Sequence, residues 1–183
     1  DAQLVIIGDG PEKSALVKLA RKLNVLPFVH LLGEKNQGDV AEAYKRAQVF
    51  VFASQTETQG MVLLEALASG LPVVAVKDSA VSEVVKSGVN GYIVKKNISE
   101  FSKRTIELLQ NEQKRLEFGE KAKEGAQDFD VKKTTLQLDL LYKKLLEKSL
   151  RESVARVMKF QKVREQLFVS TTSIPLLFNV LIL

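Results

Sequence analysis

Short runs of apolar residues alternate with helical patterns along most of this chain. Runs rich in Val, Ile, Leu and Phe predict five strands, at residues 4–7, 28–32, 49–52, 73–76 and 92–94. The segments around them predict helices near residues 11–23, 38–47, 60–69, 80–86, 98–110 and 112–127. Because the strands are apolar throughout and each is followed by a helix, they predict a parallel sheet covered on both faces. The expected fold class is α/β, a Rossmann-like doubly wound parallel sheet with its ligand crevice at the carboxyl ends of the strands.

The chain changes character after residue 128. Residues 129–166 predict a basic amphipathic helical extension, in which leucines such as Leu138, Leu141 and Leu145 recur at helical spacing. Residues 131–166 hold ten Lys and Arg against four Asp and Glu. We therefore expect a Rossmann-like domain at 1–128 followed by this helix. The helix either packs on its own or another domain, or lies on an anionic lipid surface.

The last predicted part, residues 167–183, is an uncharged hydrophobic tail. As a helix of about 1.5 Å per residue it is too short to span a bilayer core of about 30 Å. An interfacial anchor, a segment that packs on another domain and a non-native extension are the three open interpretations.

The composition excludes several classes of chemistry. Cysteine is absent and His30 is the single histidine, which excludes thiolate and multi-histidine metal sites. Since His30 lies in an apolar run, we expect it in the core. Residues 1–130 hold 17 Lys and Arg against 18 Asp and Glu, so nucleic acid is not an expected partner. The chain begins at Asp1, immediately before a strand and without a leader pattern, and we expect it to be a fragment.

Two glycines, Gly8 and Gly10, follow the first predicted strand. A dinucleotide-binding loop needs a third glycine at short spacing, and the next glycine lies far along the chain. The pair is therefore interpreted as a tight turn, although Gly8 still allows a ligand to approach the backbone closely.

The strongest functional signal lies between Glu57 and Glu65. These two carboxylates are eight residues apart and bracket Gly60, which precedes an apolar helix. The first-turn N–H groups of such a helix favour a phosphate or pyrophosphate, and carboxylates on either side favour sugar hydroxyls. Because the helix is apolar on most sides, we expect Glu65 to be buried and to need a partner from another element. The arrangement predicts a sugar-nucleotide site.

Residues 57–74 resemble the E-x7-E motif of retaining GT-B glycosyltransferases, which belong to the large glycosyltransferase group 1 family. Further stretches are similar to the same family in the same order, at residues 5–12, 29–33, 51–54, 81–84 and 88–91. The resemblance covers roughly residues 3–125. It departs from the family at Gln59, where an aromatic residue is usual. The sequence from Thr56 to Gly60 is also similar to bacterial diacylglycerol glucosyltransferases.

The resemblance implies a role for each site residue. Glu57 is the implied catalytic residue and would bind hydroxyls of the donor hexose. The donor sugar and its diphosphate would lie beside Gly8, Gln59, Gly60, Met61 and Val62. Glu65 would bind the ribose hydroxyls, and the base would lie against Leu32, Gly33 and Glu34. No metal ligand is implied.

The resemblance also implies what lies outside this chain. A domain of this kind is one half of a GT-B fold, and the missing N-terminal domain binds the acceptor. The implied reaction transfers a hexose from a UDP- or GDP-sugar to a lipid or polysaccharide, with retention and without a cofactor. An Arg and a Lys upstream of the first strand would neutralise the departing diphosphate, so the isolated chain is expected to bind donor weakly and to be inactive. The expected location is the cytoplasm, peripheral at the inner face of the membrane.

Two alternatives remain open on the sequence alone. A GT-B-type sugar-nucleotide epimerase or phosphorylase would have a similar donor site. A non-catalytic Rossmann-like module that binds a nucleotide or a partner protein would need neither glutamate for chemistry. In that case Glu57 would be a solvated loop residue and Glu65 a carboxylate paired elsewhere in the core.

Overall fold

The computed structural model describes residues 2–54 and 60–169, with side chains described as far as residue 163. The chain divides into two compact units, at 1–130 and 131–183. The strands of the first unit are β1 (Leu4–Ile6), β2 (Val29–Leu31), β3 (Phe50–Phe52), β4 (Val73–Val76) and β5 (Gly91–Val94). Its helices are α1 (Lys13–Lys22), α2 (Gln37–Arg46), α3 (Met61–Ala68), α4 (Ser79–Val84), α5 (Ile98–Gln110) and α6 (Glu112–Ala126).

The strands of the first unit pair in parallel, in two sheets. β1 pairs with β2, and Leu4 lies opposite Val29. In the second sheet β4 lies between β3 and β5. Each predicted strand and helix is present with its ends within two residues of the predicted ones. The predicted α/β fold class with parallel strands and flanking helices is confirmed.

The core of the unit is built around β4, which is buried at every position. Its alternate side chains face opposite sides of the sheet, as strand geometry requires. Val73 and Ala75 pack in the same cluster as Leu63 of α3. Val74 packs on the other side, in a cluster that includes Leu108 of α5. The prediction of a parallel sheet covered on both faces is thus correct for the three-stranded sheet.

The β1–β2 sheet differs from that prediction. Leu4 is 42% exposed and Val5 is 49% exposed, so the expectation of a buried first strand is wrong. Among the described residues, β1 pairs on one edge only, with β2, and Ala20 is the one buried residue of α1. His30 on β2 is also exposed, and its Nε2 lies 2.7 Å from Oε1 of Gln3. The expected core position for His30 is therefore wrong, because the sheet that carries it is open to solvent.

The described part of the second unit forms one long helix, α7 (Val131–Val169). Every side chain described on it, from residue 131 to 163, is exposed to solvent. The leucines at helical spacing are included, with Leu146 70% exposed and Leu150 67% exposed. No helix in the described part of the chain combines the length and apolarity needed to cross a membrane. The predicted hydrophobic tail falls largely outside the described residues.

A charged network ties β5 to helices α5 and α6. Glu107 accepts hydrogen bonds from the Tyr92 hydroxyl at 2.7 Å, from Lys114 Nζ at 2.6 Å and from Arg104 Nη1 at 2.8 Å. The Arg104 guanidinium also lies 4.6 Å from the centre of the Tyr92 ring, at a cation–π distance. Hydrogen bonds from Lys114, Tyr92 and Arg104 lower the pKa of Glu107 to about 2, against 4.5 for an unperturbed glutamate.

Helix α6 meets the turn that follows α3 at backbone distance. A Cβ on Gly119 of α6 would lie 2.6 Å from the carbonyl oxygen of Gly70, two residues beyond the end of α3, so an alanine there forces this turn and α6 apart. We expect Gly119→Ala to lower the free energy of unfolding by about 1–3 kcal/mol, the usual cost of overpacking. Urea denaturation followed by circular dichroism measures this. Gly125→Ala in the same helix is the matched control, because its Cβ would meet nothing closer than 3.7 Å. Equal stability of the two variants would refute the close contact.

The Glu107 network predicts a specific loss of stability in acid. Because the folded-state pKa of Glu107 is depressed to about 2, its contribution is present above about pH 4.5 and is lost as the pH falls toward 2. Glu107→Gln should therefore lower stability at neutral pH and flatten its decline between these values. The measurement is the free energy of unfolding across pH 2–6. Glu124→Gln, which removes an exposed ion pair with Lys121, should keep the steep decline of the parent.

Candidate functional site

Helix α3 begins differently from most helices of the first unit. The helices α2, α4, α5 and α6 each have an N-cap side chain that accepts a first-turn N–H: Asn36, Asp78, Asn97 and Asn111. At α3 the N-cap is Gly60, in the left-handed region with φ 62°, and a glycine has no side chain of its own to cap the turn. A Cβ at Gly60 would be both strained and 3.3 Å from Leu63 Cδ1, which explains the glycine. The first turn of α3 is thus the kind of helix end that binds an anion.

One face of α3 is open to solvent. Leu63, Ala66 and Leu67 are buried against the core, whereas Met61 is 54% exposed and Val62 is 37% exposed. Glu65 lies one turn beyond Met61 and is exposed as well. The expectation that Glu65 is buried is therefore wrong. The apolar sequence of α3 suggests more burial than the structure shows. One side of the helix packs on the sheet, and the opposite side of the helix faces solvent.

Glu65 nevertheless has the partner from another element that the sequence required. The hydroxyl of Tyr44, on α2, donates a hydrogen bond to Glu65 Oε2 at 3.4 Å. Burial of the phenol, followed by the charge and hydrogen bond of Glu65, raises the pKa of Tyr44 to about 12. Tyr44 therefore remains a neutral donor at physiological pH. Tyr44 was not among the predicted site residues, although the hydroxyl of a buried tyrosine usually has a hydrogen-bond partner.

The turns that follow β1 and β2 form a second group of predicted site residues. The N–H of Gly8 donates to the carbonyl oxygen of Gly33 at 2.8 Å, which brings the carboxyl ends of the two strands together. Leu32 is 44% exposed beside this contact, and Glu34 is exposed too. The residues predicted to contact phosphate and base thus lie on adjacent, accessible turns.

A cation that was not predicted lies at the same turns. Lys13, the first residue of α1, forms an ion pair with Asp9 at 3.0 Å. Its Nζ would lie 4.0 Å from a Cβ built on Gly33. The hydrogen bond from Lys13, with that from the Gly10 N–H, lowers the pKa of Asp9. The spacing of Asp9 and Lys13, four residues apart across a helix start, was the available sequence signal.

The structure thus groups the predicted residues in two places. Gly8 and Gly33 are joined directly, and Gly60, Met61, Val62 and Glu65 share the first two turns of α3. No hydrogen bond among the described residues joins the first group to Met61 or Glu65. Glu57 and Gln59 lie outside the described residues. Within the described part of the chain, no group of three or more Asp, Glu or His side chains is placed to hold a metal ion.

Comparison with known proteins gives the family. Residues 1–125 match the family of glycosyl transferases group 1. N-acetyl-alpha-D-glucosaminyl L-malate synthase of Bacillus anthracis is 31% identical over 144 residues, which are 78% of this chain and 37% of that protein. Alpha-monoglucosyldiacylglycerol synthase of Acholeplasma laidlawii is 38% identical over 111 residues, which are 61% of this chain and 28% of that protein.

Solved structures agree with this assignment. A TarM mutant of S. aureus, in complex with fondaparinux, alpha-GlcNAc-glycerol and UDP, superimposes with a TM-score of 0.69 at 26% identity. The match covers 76% of this chain and 28% of TarM. The chain therefore spans well under half the length of the proteins it matches. Its family-specific part, residues 1–125, includes all of the strands and both groups of site residues, and the chain belongs to the glycosyl transferases group 1 family.

Proposed function

We propose that this chain is the donor-binding half of a hexosyltransferase that uses a nucleoside-diphosphate sugar. The observation that carries the proposal is the first two turns of α3, which combine a glycine at the N-cap, Gly60, with an exposed carboxylate at Glu65. An anion and a vicinal diol separated by about one helical turn suit this layout, and a nucleoside diphosphate has both. Family membership supports the same class of donor.

In the proposed complex, each group of residues binds one part of the donor. The diphosphate lies at the N–H groups of Gly60, Met61 and Val62, and Glu65 accepts hydrogen bonds from the ribose hydroxyls. The base lies against Leu32, Gly33 and Glu34, with Gly8 close to the phosphates. Glu57 and Gln59, which precede α3, would bind the transferred hexose, and Glu57 is the proposed catalytic residue.

The proposed chemistry is transfer with retention at the anomeric carbon. The leaving group is a diphosphate, so the principal catalytic demand is to stabilise negative charge as the glycosidic bond to phosphate breaks. The positive end of the α3 dipole supplies part of that stabilisation. The rest, along with the acceptor site, is assigned to an N-terminal domain that this chain does not include. The donor is proposed to be a UDP- or GDP-sugar, bound without a metal cofactor.

We also propose that α7 lies on an anionic membrane surface. It is rich in Lys and Arg, and its leucines and other apolar side chains are exposed along its described length. Basic helices with exposed apolar residues bind the headgroup region of anionic lipid. A cytoplasmic enzyme peripheral to the membrane would then act on a lipid acceptor, as the name of the Acholeplasma laidlawii relative indicates for that protein. A polysaccharide acceptor is the alternative.

Two other classes of function are the alternatives to this proposal. One has a similar donor site, and the other needs no donor site. An epimerase or phosphorylase of the same fold would have a similar donor site and differ in the product formed. A non-catalytic module would bind a nucleotide without using Glu65, or would bind a protein. Nucleotide binding by Glu65 variants separates the non-catalytic module from both enzymes, and product analysis with the full-length protein separates the enzymes from each other.

Glu65→Ala should weaken the binding of UDP or GDP by about tenfold to a hundredfold, since a hydrogen bond to a charged group contributes about 1.5–3 kcal/mol. The fold should be retained, because Glu65 is exposed and alanine favours a helix. Isothermal titration calorimetry with each nucleotide measures the change. Glu42→Ala, an exposed glutamate of α2, is the matched control and should bind as the parent does. Unchanged affinity in Glu65→Ala would refute the proposed ribose contact.

The full-length protein should sediment with vesicles of phosphatidylglycerol and phosphatidylcholine, and less so with phosphatidylcholine alone. Reversing the charge of Lys143, Lys144 and Lys148 together should weaken binding by at least about a hundredfold, since the loss of each lysine alone costs about 1 kcal/mol of binding free energy. High salt should weaken it too. Reversal of three exposed lysines of the first unit, Lys18, Lys22 and Lys35, is the control. If both triple variants lose binding equally, α7 is not the membrane-binding element.

A further inference from the structure

The hydroxyl of Tyr44 contacts Glu65, although Tyr44 is not among the residues proposed to bind the donor. Its hydroxyl reaches across from α2 to Glu65 Oε2 on α3, over a separation of 21 residues in sequence. Among the described residues it is the one group that donates a hydrogen bond to this carboxylate. The contact is made to Oε2 at 3.4 Å, and no donor from the described residues lies at Oε1.

Aromatic packing fixes the position of the Tyr44 ring. The ring meets Phe50 edge-on, with centroids 5.7 Å apart and planes at 73°. Phe50 in turn stacks on Phe52, with centroids 6.2 Å apart. Both phenylalanines are on β3, and all three rings pack against the buried core below α3. The hydroxyl is thus carried by a ring with little freedom, unlike the end of a long aliphatic side chain.

A donor of this kind suits a carboxylate that must itself bind hydroxyls. An exposed glutamate loses side-chain entropy when it is held in one conformation. A hydrogen bond already formed in the free protein removes part of that cost from the binding step. A lysine or arginine partner would also orient the carboxylate but would neutralise its charge. A neutral phenol leaves the full negative charge to strengthen hydrogen bonds from a ligand.

We propose that Tyr44 is a positioning residue that orients Glu65 toward the ribose diol of a nucleoside diphosphate, and so sets the preference for ribose over 2′-deoxyribose. The proposal rests on the proposed function, because it takes Glu65 as the ribose ligand. The proposal adds to the site a residue outside the E-x7-E segment, Tyr44. It also predicts that the preference for ribose over 2′-deoxyribose depends on this residue.

The test uses Tyr44→Phe in the full-length protein. Phenylalanine keeps the ring that packs on Phe50 and removes only the hydroxyl. The probes are UDP and 2′-deoxy-UDP, or GDP and 2′-deoxy-GDP if the guanine nucleotide binds more tightly. We expect the parent to prefer the ribonucleotide by about tenfold, and Tyr44→Phe to reduce that preference to about twofold to threefold. A loss of packing alone would weaken both nucleotides equally and leave the ratio unchanged.

A second tyrosine provides a matched control. Tyr92 also donates its hydroxyl to a glutamate, Glu107, but in the charged network of β5, α5 and α6. Tyr92→Phe should lower the melting temperature and leave the ribose preference at its parental value. The same chemical change at the two sites thus gives two separable results.

A double-mutant cycle with Glu65→Ala decides whether Tyr44 acts through Glu65. In the Glu65→Ala background, Tyr44→Phe should have no further effect on the binding of either nucleotide. Additive effects would overturn the proposal while leaving the proposed function in place, as would an unchanged ribose preference in Tyr44→Phe alone. If Glu65→Ala itself has no effect on nucleotide binding, the proposed function and this proposal both fail.

Discussion

The arrangement of the first unit depends on the burial of β4 on both faces. A strand with no solvent-facing side must have helices above and below it, and these helices must cross over between parallel strands. Helices α3 and α4, together with Ala122 of α6, cover one face, and Leu108 of α5 and Phe118 of α6 cover the other. Since each crossover helix starts beyond the carboxyl end of its strand, α3 begins beside the end of β3 and offers its first turn to a ligand. The position of the candidate site thus follows from the way the helices cover β4.

Much of this organisation can be predicted from local patterns in the sequence. Apolar runs and helix spacing predicted the strands and helices, and Gly60 predicted where α3 begins. Solvent exposure was harder to predict. Leu4 and His30 lie in apolar runs, yet whether a strand is buried depends on which strands and helices lie next to it in space. A hydrogen bond such as that from Tyr44 to Glu65 joins positions that become neighbours only after folding.

Two glutamates of this unit illustrate how similar contacts serve different purposes. Glu107 accepts from a tyrosine and from two cations, so its charge is compensated and its oxygens are occupied. Glu65 accepts from a tyrosine alone among the described residues, and its charge is not compensated by a basic side chain there. The first arrangement stabilises the fold, whereas the second keeps an oriented acceptor at the surface. Both carboxylates accept a hydrogen bond from a tyrosine. They differ in the number of cations around them, and this number distinguishes the structural role of Glu107 from the proposed binding role of Glu65.

The contact between Gly119 and Gly70 has a consequence for how this domain diversifies. Any side chain at Gly119 meets the backbone of Gly70, and Gly70 itself has φ 81° and the Lys123 side chain against it. A substitution at one position does not make room for a substitution at the other. Neither glycine can therefore be replaced without a loss of stability. The packing at the far end of α3 is therefore fixed by backbone contacts, whereas Met61 and Val62 at its near end are exposed and can be substituted without disturbing the core. Under the proposed function, donor preference can be altered at one end of a helix while the packing of its other end stays the same.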